Sequence, residues 1–131
     1  MKRILLVLLT AVTMSFSANA QEIKAETDKQ FMQITTVESV ISGGLGRSRM
    51  IITNPDGSQK ESDMENLFSL TGINFKNIKQ NEDKIISTLK EYTGNGWKVD
   101  QVTSLTLSPN DTGSGGIFMT RYLMSKAAEK K

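Results

Sequence analysis

Residues 81–107 read NEDKIISTLKEYTGNGWKVDQVTSLTL, and this stretch decides the fold. Asn81 suits an N-cap, and Glu82 and Asp83 follow it where the helix dipole favours negative charge. Ile85, Ile86, Leu89 and Tyr92 recur at spacings of three and four, so they share one helix face. Gly94 offers a left-handed stop. Trp97 and Val99 then alternate as in a strand, aimed back at the helix. Val102 changes parity and Leu105 and Leu107 change it again, which a bulge near Gln101 would reconcile.

Working outward toward the N-terminus, two β-branched runs precede the helix. Gln30 to Ile41 and Arg47 to Thr53 read as strands joined through Gly43-Gly44-Leu45-Gly46 into a hairpin. Asn54-Pro55-Asp56-Gly57 places each residue type where a β-turn wants it. Ser58 to Glu61 is compatible with a short third strand or a loop. Ser62-Asp63-Met64-Glu65 fits a capping box, predicting a short helix through Leu67, Phe68 and Leu70 that Gly72 ends. Phe75 and Ile78 lie in the connector Ile73 to Gln80 and are expected to tuck against the core. On the C-terminal side, Ser108 to Gly116 is turn-rich and Ile117 to Ser125 reads as the last strand. The expected fold class is α+β: an antiparallel four-stranded sheet in β-β-α-β-β order, one main helix on one face, and a short extra helix.

The first twenty residues stand apart. Lys2 and Arg3 precede a mainly apolar run from Ile4 to Phe16, and Ala18-Asn19-Ala20 has the small-x-small pattern of a cleavage site. The run is shorter than the roughly 20 apolar residues of a spanning helix. The expectation is a cleaved export signal (1–20), a flexible leader (21–29), one domain (30–126) and a charged tail (127–131), with the product periplasmic or secreted. The whole chain has sixteen Lys plus Arg against fourteen Asp plus Glu. Lys2 and Arg3 lie in the signal, so the remainder is balanced at fourteen each. Without a global positive field, neither nucleic acid nor membrane insertion after cleavage is expected.

The chain has no cysteine and no histidine. That removes cysteine nucleophiles, Ser-His-Asp triads, histidine bases and ordinary zinc sites within one chain. Asn54 to Glu65 resembles a calcium loop only loosely, because no register puts its glycine at the required sixth position. Asp111 to Gly116 looks like a phosphate loop, but a strand follows it where a helix N-terminus is needed. Asp111-Thr112-Gly113 lacks the second triplet of an aspartic protease. Carboxylates such as Glu38, Glu91, Asp100 and Asp111 show no spacing that sets two across a cleft. No catalytic, cofactor or metal residue is therefore assigned. Trp97 and Tyr92 read as core.

The helix ending in Gly-Asn-Gly-Trp97-Lys98-Val99, the Gly-rich loop and the closing strand with Arg121-Tyr122-Leu123 are similar to small uncharacterised bacterial domains. Those pair a helix with a "GW" strand and end in an aromatic-and-basic strand. The resemblance covers about the last third of the chain. It implies a fold and no activity.

Arg47, Arg49, Arg121 and Tyr122 are the candidate partner-binding residues. Arg47 and Arg49 share a strand parity, and arginine beside an aromatic ring is a common make-up of binding hot spots. Solvated charges on a sheet face are the ordinary alternative. The favoured function is an exported, non-catalytic module that binds a protein or envelope component or assembles with itself through sheet face or edge. The alternatives are a carboxylate-based envelope hydrolase and a purely structural envelope homodimer.

Overall fold

The computed structural model of the protein describes residues 28–41, 46–108 and 115–128. The proposed signal, most of the Gly43–Gly46 turn and the Asp111-Thr112-Gly113 triplet lie outside them. The elements, in chain order, are β1 (Lys29–Ser39), β2 (Ser48–Thr53), β3 (Gln59–Met64), β4 (Phe68–Ser69), β5 (Gly72–Ile73), α1 (Phe75–Gly94), β6 (Lys98–Leu107) and β7 (Ile117–Ala127). Five strands form one antiparallel sheet in the order β3-β2-β1-β7-β6, and β4 pairs with β5 as a separate two-stranded hairpin.

This corrects the expected four-stranded β-β-α-β-β sheet with an extra helix. The sheet gains a strand because the Asn54–Gly57 turn closes as a hairpin. Asn54 N–H donates to the Ser58 carbonyl (2.9 Å), Gly57 N–H to the Asn54 carbonyl (3.0 Å), and Gly57 takes φ 81°. β3, QKESDM, then pairs along its whole length with β2. Such a polar segment has little strand propensity of its own; the ladder offered by β2 overrides it.

The capping box at Ser62–Glu65 does not form a helix for the same reason. Ser62 and Met64 are already paired with Met50 and Ser48. The segment after it turns through Gly72 (φ 111°) into the β4–β5 hairpin. The helix begins about two turns earlier than an Asn81 cap would start it. Asn74 is the N-cap, its Oδ1 accepting from the N–H groups of Lys76 (3.1 Å) and Asn77 (3.3 Å). The stop also moves. Gly96, not Gly94, is left-handed (φ 86°), with Gly96 N–H donating to Thr93 and Trp97 N–H to Tyr92, the paired bonds of a Schellman ending.

Opposed residues of an antiparallel ladder point to one face. Met32 and Ile34 of β1 share a face with Met50 and Ile52, Met64, and Met124 and Tyr122. This face and Ile85 of α1 make the buried core, and Leu89, Tyr92, Trp97 and Tyr122 pack half-buried around it. Four of the seven buried apolar residues are methionines, flexible side chains that fill irregular space under a single helix.

The β6–β7 register shifts between Val99 and Gln101, where the change of apolar parity called for a bulge. Its effect differs from the sequence expectation. Val99 and Val102 come together on the core face, opposite Met124 and Tyr122. Leu105 and Leu107 go to the other face, opposite Met119 and Ile117.

Candidate interaction surface

Asn81 organises the end of the sheet beneath the first half of α1. It is 2% exposed. Its Oδ1 accepts from Glu65 N–H (2.8 Å), and its Nδ2 donates to the Glu65 carbonyl (2.8 Å) and to Glu38 Oε1 (2.9 Å). The side-chain amide thus pairs with the backbone just past β3 as another strand would. Lys84 donates to the Asp63 carbonyl next to it. The β3 edge is therefore short, charged at Lys60, Glu61 and Asp63, and covered at its end by α1 side chains.

The opposite edge is built differently. All ten residues of β6 are exposed, and among the described residues β6 has a ladder partner, β7, on one side only. Residues 101–107 contain no charge and no proline. Val99, Val102, Leu105 and Leu107 are 42–60% exposed. Natural sheets normally protect such an edge with charge, proline, short length or a covering element. Here the protection is confined to Lys98, Asp100 and the bulge at one end.

The uncovered sheet face carries two of the candidate arginines. Arg49 stands opposite Asp63 and Val37, and Arg121 opposite Thr35 and Thr103. They are separated by β1 and one step along it, about 12 Å from strand spacing and rise. Arg49 is engaged by Glu61 (2.6 Å) and Asp63 (3.7 Å). Arg47 is exposed just ahead of β2. Tyr122 opposes Ile34 and so lies on the other, helix-covered face. The structure brings Arg49 and Arg121 onto one face and sets Tyr122 apart from them. Burial, then the nearby Glu82 and Glu38 carboxylates, hold its phenol proton above the usual tyrosine range.

Apolar side chains lie to one side of Arg121 on the open face, while Thr35 and Thr103 flank it across the strands. Val37, Met119 and Leu105 form one cross-strand row, and Ile117 and Leu107 the next. Concavities among the described residues lie at the ends of the sheet. One, of about 390 Å³, is lined by Lys29, Gly96, Lys98, Ser125, Lys126 and Ala127. Another, of about 360 Å³, lies against the β4–β5 hairpin. At Asn54–Ser58, Asp56 accepts from the Ser58 hydroxyl (2.7 Å) and N–H (2.9 Å), which draws its carboxyl below the ordinary range. That turn is closed by its own bonds.

Comparison with known proteins finds no match: no family model, no curated protein and no solved structure aligns with this chain.

The exposed edge and the hairpin were not singled out by the sequence reading. The uncharged run 101–107 was the available signal for the edge. For the hairpin it was the spacing of Phe68, Leu70, Ile73 and Phe75 about Thr71-Gly72.

Proposed function

We propose that this chain is an exported, non-catalytic module that assembles with a second copy of itself by antiparallel pairing of β6. The contrast between the two sheet edges carries the reading: β3 is blocked by charge and by α1, whereas residues 101–107 of β6 are uncharged and exposed on both faces. Strand addition satisfies the outward N–H and C=O groups and lays the uncharged run 101–107 of one copy along that of the other, with Val102 on one face and Leu105 on the opposite face of a continued sheet. The balanced charge outside the first twenty residues favours a like partner, since no net repulsion opposes association. Export rests on the sequence pattern at residues 1–20. The hydrolase reading has no observation behind it among the described residues.

The test is sedimentation velocity over a concentration series. Wild-type protein should pass from monomer to dimer, and Val102→Lys with Leu105→Lys, which puts two positive charges into the pairing run of each copy, should remain monomeric. Lys60→Ala on the far edge should dimerise as wild type does. A wild type monomeric throughout, or a double variant that still dimerises, overturns the reading.

A further inference from the structure

The β4–β5 hairpin and the first turn of α1 hold the two most exposed large apolar side chains among the described residues, Leu70 and Phe75. Leu70 is 90% exposed, Phe75 70% and Ile73 57%. Three such residues within six positions form an exposed apolar tip, and patches of this kind mark contact sites. The tip is firmly held. Leu67 N–H donates to the Ser39 carbonyl (3.1 Å), Asn74 N–H to the Leu67 carbonyl (2.9 Å), and Asn77 Nδ2 to the Asn66 carbonyl (2.8 Å). Ser48 Oγ donates to Asn66 Oδ1 (3.1 Å). The backbone is thus braced while the side chains point outward.

The tip segment itself carries only positive charge, with the exposed Glu65 just ahead of it beside Leu70. Residues 66–81 contain Lys76 and Lys79 and no carboxylate. The first turn of α1 has no acidic residue. Cations near a helix N-terminus oppose the helix dipole, so this placement works against the helix and is not explained by its stability. Apolar side chains beside lysines match an anionic bilayer surface, where the rings and aliphatic groups enter the headgroup boundary and the ammonium groups meet lipid phosphates. A fluid bilayer accepts such a tip without a complementary groove, whereas a second copy would have to supply one.

We propose that this hairpin, with Leu70, Ile73 and Phe75 as the inserting side chains and Lys76 and Lys79 as the lipid-facing charges, docks the protein on anionic membrane surfaces. The contact is interfacial: among the described residues no helix is long and apolar enough to cross a membrane.

The absence of cysteine makes the test site-specific. Thr71→Cys at the tip and, as a control, Ser58→Cys at the opposite end of β3 are each labelled with an environment-sensitive fluorophore on the full chain. Vesicles of phosphatidylglycerol and phosphatidylethanolamine should raise and blue-shift the tip emission at least twofold and leave the Ser58 label unchanged. Vesicles of phosphatidylcholine alone should give a much smaller response. Adding Leu70→Ser and Phe75→Ser should abolish the tip response. Lys76→Gln with Lys79→Gln should remove the preference for anionic lipid. The pairing of β6 is not required, so Val102→Lys with Leu105→Lys should keep the response. A silent tip label on anionic vesicles overturns the proposal. So does a tip emission that changes with protein concentration alone, which would seat the tip on another copy.

Discussion

Replacing Asn81 by Asp tests whether one buried amide ties the helix to two strands. The two side chains have nearly the same shape and similar helix propensity, so packing is held constant. An aspartate can still accept from Glu65 N–H, but the Nδ2 donor is lost. Its second oxygen then faces the Glu65 carbonyl and the Glu38 carboxylate, which now accept 2.8 and 2.9 Å hydrogen bonds. Two lost bonds cost about 1 kcal/mol each, and a like-charge contact in a partly buried site adds a few more. The expected loss at neutral pH is about 3–5 kcal/mol, against about 5–15 for a whole domain. Asn81→Ala loses all three bonds but regains some helix propensity, for a loss of about 2–3 kcal/mol.

The two variants separate with pH. The new carboxyl would have its folded pKa raised, so its contribution is intact in acid and is lost as pH rises through that value. A protonated carboxyl can donate as Nδ2 does. Urea denaturation should therefore show a penalty for Asn81→Asp that is largest at neutral pH and shrinks toward pH ~4, while the penalty for Asn81→Ala varies little. An Asn81→Asp penalty that is absent at neutral pH, or that does not narrow in acid, would refute the three-way bridge.

Two further outcomes follow from the helix end and the tyrosines. Gly94 is helical with open space around its Cβ position, so Gly94→Ala should raise stability by about 0.5–1 kcal/mol. Gly96→Ala, at φ 86°, should lower stability by about 1–2 kcal/mol, and thermal melts of the pair should move in opposite directions. Tyr122 and Tyr92 keep their protons above the usual value of 10.0, each chiefly through burial. Their stability contribution is intact below pH 10 and fades as pH rises through the folded values. Tyr122→Phe should flatten that alkaline decline in chemical denaturation; an unchanged slope would place Tyr122 in water.

The sequence alone determined the elements whose signals are local. The helical spacing of Ile85, Leu89 and Tyr92, the Asn54–Gly57 turn and the parity break near Gln101 each act within a few residues and appear in the structure, although Ile86, read onto the same helix face, is 47% exposed. Only the tertiary structure decided what depended on distant partners. β3 became a strand because β2 lay beside it, and Ser62–Glu65 lost its capping box to that ladder. Asn81 looks like a cap in sequence, yet it is buried within the helix because Glu38 of β1 and Glu65, just past β3, converge on it. The candidate arginines shared a strand parity that sequence could read, but their separation from Tyr122 follows from the pairing of β7 with β1. Which edge of the sheet lies open is likewise a property of strand order, set by contacts between residues far apart in the chain.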